Sequence, residues 1–148
     1  MSDWNNLLQP VIQPNIATNK YYVKKILIVE DNTLLQQLFH NWFETKKVEL
    51  LSLHTAYKLA QRIESFRPDL IITDILLPDT TAEELIHCYA NIHVPIIVMS
   101  AMDQDDLSYF SNEIHAVKAF KKPVNMMELF NLAEELISAQ SNNNHHGK

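Results

Sequence analysis

Five side chains that could do chemistry together stand at or just beyond the ends of apolar runs in this sequence. Two carboxylates, Glu30 and Asp31, follow one run, and Asp74 follows another. Ser100 and Lys122 stand in the same way after two further runs. Three carboxylates brought together repel one another, at roughly 3 kcal/mol for each pair about 5 Å apart at an effective dielectric near 20. A hard divalent cation relieves that repulsion, and an oxygen-only acidic cluster suits Mg²⁺.

Such a set of residues has the parts needed for phosphoryl transfer. An aspartate held beside Mg²⁺ can accept a phosphoryl group, because the metal and an ammonium stabilise charge on the group being transferred. The ammonium of Lys122 is suited to one phosphoryl oxygen and the hydroxyl of Ser100 to another. Each residue taken alone is more often a turn or capping residue, so the prediction depends on all of them occurring together.

The elements that must position these residues alternate between strand and helix. Strands are predicted at apolar, β-rich runs at 26–29, 48–53, 70–72, 95–99 and 116–120. Apolar residues at helical spacing follow the runs, and helix starts are indicated at Asn32, Thr81, Asp103 and Asn125. The alternation predicts an α/β fold with a parallel sheet, helices on both faces and right-handed crossovers. In such a sheet ligands bind beyond the carboxyl ends of the strands.

The composition excludes several other classes of protein. The chain has 148 residues, of which 47% are hydrophobic and 20% charged, as in one globular domain. Its net charge of −6 disfavours binding to nucleic acid. Apolar stretches are too short for membrane insertion and no signal peptide is recognisable, so we expect a cytoplasmic protein. Cys88 is the single cysteine and Gly147 the single glycine, which excludes an internal disulfide and a glycine-rich phosphate loop.

Three regions are expected along the chain. Residues 1–22 are predicted to form an N-terminal extension that is partly disordered, because Pro10 and Pro14 interrupt it and its apolar residues keep no period. Residues 23–140 are predicted to form the folded domain. Residues 141–148 are predicted to be a flexible polar tail.

From about Lys24 to Ala139 the sequence resembles the receiver domain of two-component response regulators, of the stand-alone, chemotaxis-regulator-like kind. The segments that carry the resemblance are 26–32, 68–78, 94–101 and 121–123. The resemblance implies a flavodoxin-like, doubly wound sheet of five parallel strands in the order 2-1-3-4-5. It also implies that Asp74 accepts a phosphoryl group from a histidine kinase or phosphotransfer protein.

The resemblance implies further roles residue by residue. The metal, Mg²⁺ or Mn²⁺, would be held by Asp31 directly, by Glu30 mainly through water, and by Asp74 and the backbone carbonyl of Leu76. The phosphoryl group would be met by Ser100, which swings toward it, and by Lys122, while Ala101 leaves room and Pro123 follows a cis peptide bond.

Two departures from the family pattern concern the phosphorylation switch, the process by which such a domain responds to a phosphoryl group. The family usually has an aromatic residue where this chain has Ala119, and strand alternation predicts that the next residue, Phe120, points to the opposite face. Tyr109 or Phe110 is a possible substitute.

The second departure flanks the phosphorylation site. Leu76 and Met102 stand where polar residues often help water attack, which predicts slow loss of the phosphoryl group.

Three functions remain open from the sequence. The first is a stand-alone receiver that signals by binding another protein through helix 4, strand 5 and helix 5. Tyr109, Phe110 and Phe120 are candidate contacts, although core packing explains at least some of them equally well. The second is a receiver-like adaptor that does not depend on phosphorylation, an alternative supported by Ala119. The third is a Mg²⁺-dependent aspartyl phosphatase, which is disfavoured because Leu76 stands where that chemistry needs a second aspartate.

Overall fold

The structure, a computed structural model, describes residues 22–146, with side chains described as far as residue 139. Of the extension predicted at 1–22, only Tyr22 lies within the described residues. Within residues 22–146, five strands and five helices alternate: β1 (Lys24–Val29), α1 (Thr33–Phe43), β2 (Val48–Leu53), α2 (Leu59–Phe66), β3 (Leu70–Asp74), α3 (Ala82–Tyr89), β4 (Ile96–Ser100), α4 (Gln104–Glu113), β5 (Lys118–Lys121) and α5 (Met126–His146).

The strands form one parallel sheet in the order β2-β1-β3-β4-β5, which confirms the predicted topology. The register places Val29 opposite Thr73 and Ser100 opposite Lys121. Residues that follow β1, β3, β4 and β5 therefore emerge beside one another at the carboxyl edge of the sheet.

Each face of the sheet carries its own hydrophobic cluster, because alternate side chains of a strand point to opposite faces. Leu27 and Val29 of β1 belong to the first core cluster, which packs the sheet against α2, α3 and α4. Ile26 and Ile28 belong to the second core cluster, which packs it against α1 and α5. The inner strand β1 is buried on both faces, as its continuous apolar run predicts.

The predicted helix caps are present. Asn32 accepts a hydrogen bond from the backbone N–H of Leu35 at 2.9 Å, and Asp103 and Asn125 accept similar bonds at the starts of α4 and α5. Thr81 forms a reciprocal capping box with Glu84 at the start of α3.

Two boundaries differ from the sequence prediction. Strand β5 begins at Lys118 and not at Ala116, because the N–H of Ala116 donates to Ser111 at the end of α4. Helix α5 continues past residue 140 to His146, so the predicted end of the domain lies inside a helix. Among the described residues, no helix is long and apolar enough to cross a membrane.

Candidate functional site

The side chains singled out in the sequence meet at the carboxyl edge of the sheet. Glu30 directly follows β1 and is fully buried, Asp74 ends β3 with 3% of its surface exposed, and Ser100 ends β4 and is buried. Asp31 is exposed, and the half-buried Lys122 follows β5. Four separate segments of the chain thus place polar groups at the carboxyl edge of the sheet.

The three carboxylates converge, and one ammonium group contacts two of them. An oxygen of Glu30, one of Asp31 and one of Asp74 all lie within 4.8 Å of one another. The Nζ atom of Lys122 donates to Oε1 of Glu30 at 2.8 Å and to Oδ2 of Asp74 at 2.6 Å. These two ion pairs offset part of the mutual repulsion of the acids and tie β5 to β1 and β3.

Glu30 is fixed from several sides. Its backbone N–H donates to the carbonyl of Leu53 at the end of β2, and its Oε2 accepts from the backbone N–H of Asn32 at 2.9 Å. Burial raises the pKa of the Glu30 carboxyl above its ordinary value, although the hydrogen bonds from Lys122 and Asn32 oppose that rise. The charged form is therefore costly unless a cation lies close by.

Asp74 is held by the chain on either side of it. The backbone N–H of Leu76 donates to Oδ1 of Asp74 at 2.9 Å. The hydroxyl of Thr73 donates to the Asp74 carbonyl at 2.7 Å and accepts from the hydroxyl of Tyr89 on α3.

Burial alone lowers the pKa of the Lys122 ammonium, but its hydrogen bonds to Asp74 and Glu30 outweigh that effect and raise the pKa. Lys122 therefore stays charged at neutral pH.

The donor set fits a hard divalent cation. All three acidic side chains offer oxygen, and Mg²⁺ takes one to three such ligands and keeps waters in its remaining positions. Asp31 is the exposed member, so a hydrated ion can reach the cluster from solvent on that side. The carbonyl of Leu76 as a fourth ligand stays a prediction.

The opposite side of the site is formed by the loop between β4 and α4. The Ser100 hydroxyl accepts a hydrogen bond from the backbone N–H of Met102 at 3.2 Å, and the N–H of Lys122 donates to the Ser100 carbonyl at 2.8 Å. Ala101 is exposed and the Met102 side chain packs against the first core cluster. The peptide bond between Lys122 and Pro123 is cis, as the resemblance implies.

Two contributors to this arrangement were missed from the sequence. Lys121, next to Lys122, donates its ammonium to the carbonyls of Ala101 and Met102. Gln36 on α1 is buried and donates its amide to the carbonyl of Glu30. A signal for Gln36 was present, since it lies three and seven residues before Phe39 and Phe43 on the buried face of α1.

Comparison with known proteins identifies the family. The sequence model of the response regulator receiver domain matches residues 26–134. The chain belongs to this receiver domain family. The matched span runs from β1 into α5 and includes the whole acidic cluster.

Individual receivers agree with this assignment. The polar-differentiation response regulator DivK of Brucella anthropi is 30% identical over 82 residues, which cover 53% of this chain and 67% of that protein. Sporulation initiation phosphotransferase F of Bacillus subtilis is 24% identical over 121 residues, which cover 80% of this chain and 98% of that protein. The crystal structure of a CheY-like response regulator receiver domain protein from Methanospirillum hungatei JF-1 has a TM-score of 0.71 and 27% identity, covering 81% of this chain and 98% of that one.

Within this receiver the departure at Ala119 has the predicted geometry. Ala119 is half-buried against the first core cluster, whereas Phe120 is buried in the second core cluster, on the other face of the sheet. Phe110 is 1% exposed and belongs to the first core cluster, and Tyr109 is 62% exposed. Phe110 and Phe120 therefore fill the core, which is the alternative that the sequence left open for them, and of the three candidate contacts Tyr109 is the exposed one.

Proposed function

We propose that this receiver accepts a phosphoryl group on Asp74 from a histidine kinase or phosphotransfer protein, in a reaction that depends on Mg²⁺. The observation that carries the proposal is the position of Asp74. Its carboxylate lies within 4.8 Å of oxygens of two other acids and 2.6 Å from a lysine ammonium. This combination gives a nucleophilic oxygen both a cation site and a fixed positive charge.

The residues of the chain divide the work of transfer. A carboxylate oxygen of Asp74 forms a bond to phosphorus while the bond between phosphorus and the donor nitrogen breaks, and the donor histidine keeps the electron pair. Lys122, already held at Asp74, pairs with a phosphoryl oxygen, and the Ser100 hydroxyl donates to another after leaving the N–H of Met102. Mg²⁺ held by Glu30, Asp31 and Asp74 would neutralise charge on the transferring group.

The proposal is tested by intact-mass spectrometry of the full chain incubated with acetyl phosphate and Mg²⁺. We expect one phosphoryl adduct on the wild type and none on Asp74→Asn or in the presence of EDTA. Asp105→Asn, which removes a carboxylate exposed on α4, is the matched control and should keep the adduct. An adduct that persists in Asp74→Asn, or that forms equally well in EDTA, would contradict the proposal.

We propose that the receiver passes its signal on by binding a downstream protein in the cytoplasm. It would do so without contacting nucleic acid directly and without inserting into a membrane. The face formed by α4, β5 and α5 supports this, because it carries three exposed apolar side chains, Tyr109, Val117 and Met127. Lys118 and Glu128 pair across the same face at 2.9 Å, which gives it charged groups as well. An exposed apolar patch with a polar rim is typical of a protein-binding surface.

Ala119 favours a second candidate, an adaptor whose binding does not depend on phosphorylation. Without an aromatic side chain at this position, the half-buried Ala119 offers little that could change packing when Ser100 moves. The two candidates differ in hydrogen exchange measured before and after phosphorylation. A switch changes the exchange of amides in α4 and β5, whereas an adaptor leaves them unchanged.

A further inference from the structure

Gln36 is a buried amide in the apolar face of α1. Its residue is 3% exposed, and its neighbours on that face are Phe39 and Phe43 of the second core cluster. Its Nε2 donates to the carbonyl of Glu30 at 3.0 Å and to the carbonyl of Leu53 at 3.1 Å. Since both partners are acceptors, the amide nitrogen must face them.

These two bonds join three elements at one point. Glu30 follows β1, Leu53 ends β2, and Gln36 belongs to the helix that begins after Asp31. The Leu53 carbonyl also accepts the backbone N–H of Glu30 at 2.9 Å. The main chain of Glu30 is consequently fixed at its N–H by Leu53 and at its C=O by Gln36, within the segment from which two of the three acidic groups project.

Burial of this amide has a cost that packing does not explain. Its Oε1 is buried and has no hydrogen-bond partner among the described residues. A buried acceptor left without a partner is destabilising, and an apolar side chain of similar volume would fill the same space without that loss. The two donated bonds are what distinguish Gln36 from such a side chain. One goes to the Glu30 carbonyl, and the other goes to the Leu53 carbonyl that accepts the Glu30 N–H.

We propose that Gln36 is a positioning residue for the cation site. It touches neither the acidic oxygens nor the phosphoryl acceptor, but it holds the Glu30 backbone so that the Glu30 and Asp31 carboxylates converge with Asp74. The inference depends on the Mg²⁺ site of the proposed function. Partners that orient metal ligands typically change metal affinity by about 10–100-fold when they are removed.

The test is a calorimetric Mg²⁺ titration of the full-length wild type, Gln36→Met and Gln37→Met. Methionine keeps the length of the side chain and removes the donor. We expect the Kd for Mg²⁺ to rise about tenfold in Gln36→Met. The adjacent Gln37 is exposed, and its side chain donates to Asn41 on the surface of the same helix, so Gln37→Met should leave the Kd unchanged.

A second readout separates positioning from general destabilisation. In phosphorylation by acetyl phosphate, Gln36→Met should need about tenfold more Mg²⁺ for half-maximal rate, yet reach the wild-type rate at saturation. Ile63→Val, a core substitution on α2 far from the acids, should lower the melting temperature without moving the Mg²⁺ requirement.

The outcomes distinguish this inference from the proposed function. If the wild type binds Mg²⁺ and the Kd of Gln36→Met lies within twofold of the wild-type Kd, the role of Gln36 is overturned and the proposed function stands. An equal shift in Ile63→Val would also overturn it, because the effect would then follow stability alone. Wild type that binds no Mg²⁺ would overturn both.

Discussion

Glu30 and Asp74, on the β1–β3 side of the site, are almost completely buried, whereas Ala101 and Lys121, on the β4–β5 side, are exposed to solvent. The acidic side, with Glu30 and Asp74, is held by hydrogen bonds from the buried Gln36 amide to the Glu30 carbonyl and from the Leu76 N–H to the Asp74 carboxylate. The loop side, which is the loop between β4 and α4 with the end of β5, is held in part by the exposed Lys121 ammonium, which donates to the carbonyls of Ala101 and Met102.

This difference separates two tasks within one site. A cation site needs oxygens at fixed positions, and burial with several hydrogen bonds provides that. A residue that must move toward a phosphoryl group, as proposed for Ser100, needs a loop that can change at small cost, and segments with few buried contacts supply such loops. Lys122 joins the two sides, since its backbone bonds Ser100 and its side chain bonds both Glu30 and Asp74.

The largest expected effect comes from removing the Lys122 ammonium, which connects the two sides. Lys122→Met leaves the buried Glu30 and Asp74 carboxylates without their cation, so we expect the free energy of unfolding in EDTA to fall by about 3 kcal/mol. Urea unfolding monitored by circular dichroism measures it. Saturating Mg²⁺ should recover part of the loss, because the ion supplies the missing positive charge.

Lys118→Met is the matched control for this loss. Lys118 begins β5, the strand that Lys122 follows, and its pair with Glu128 is exposed, so we expect a change of about 0.5 kcal/mol. Equal losses in the two variants would mean that Lys122 does not connect the two sides of the site.

A smaller effect is expected where the two sides flank Asp74. Leu76 on one side is 48% exposed and Met102 on the other packs against the core, and neither side chain carries a polar group to hold an attacking water. In Leu76→Asn a hydrogen bond of about 1 kcal/mol to that water would shorten the phosphoryl lifetime roughly fivefold. Loss of the adduct after removal of acetyl phosphate, followed by mass spectrometry, measures the lifetime.

Leu34→Asn replaces another exposed leucine, on α1, and should leave the lifetime unchanged. A lifetime in Leu76→Asn that equals the wild type would show that the apolar flank does not limit attack by water.

Much of this arrangement could be predicted because its signals are local. Asn32 and Thr81 stand next to the helices that they cap, and strand alternation alone separates Ala119 from Phe120. The convergence of the acids follows from the rule that ligands bind at the carboxyl ends of parallel strands. The fold and the acidic cluster were therefore accessible from the sequence.

What was missed depends on contacts between distant segments. Lys121 bonds carbonyls 20 and 19 residues away, and no local pattern reports its role. The helical spacing of Gln36 from Phe39 and Phe43 indicates that Gln36 is buried, but its bond to a carbonyl 17 residues away is not visible in that spacing. Phe110 is a different case. Its spacing from Leu107 and Ile114 is that of a buried helix face, and this period identifies it as a core residue.

The smallest expected effect tests the loop side directly. Lys121→Met removes the ammonium that bonds Ala101 at 2.8 Å and also Met102, so we expect amides 101–103 to exchange with solvent about threefold faster. The change is modest because an exposed charged group contributes less than about 1 kcal/mol. Hydrogen exchange followed by mass spectrometry of a peptide spanning this loop measures it.

Lys121→Arg keeps a donor and should keep most of the protection, whereas Lys118→Met should leave it intact because Lys118 bonds α5 and not the loop. Unchanged exchange in Lys121→Met would contradict this expectation, since the loop would then be held as firmly as the acids. In the wild type the Ser100 hydroxyl accepts a hydrogen bond from the N–H of Met102. Faster exchange confined to this loop would mean that this bond opens more readily when the Lys121 ammonium is removed. The exposed Lys121 would then determine how easily the loop between β4 and α4 changes conformation, while the buried Glu30 and Asp74 stay in place.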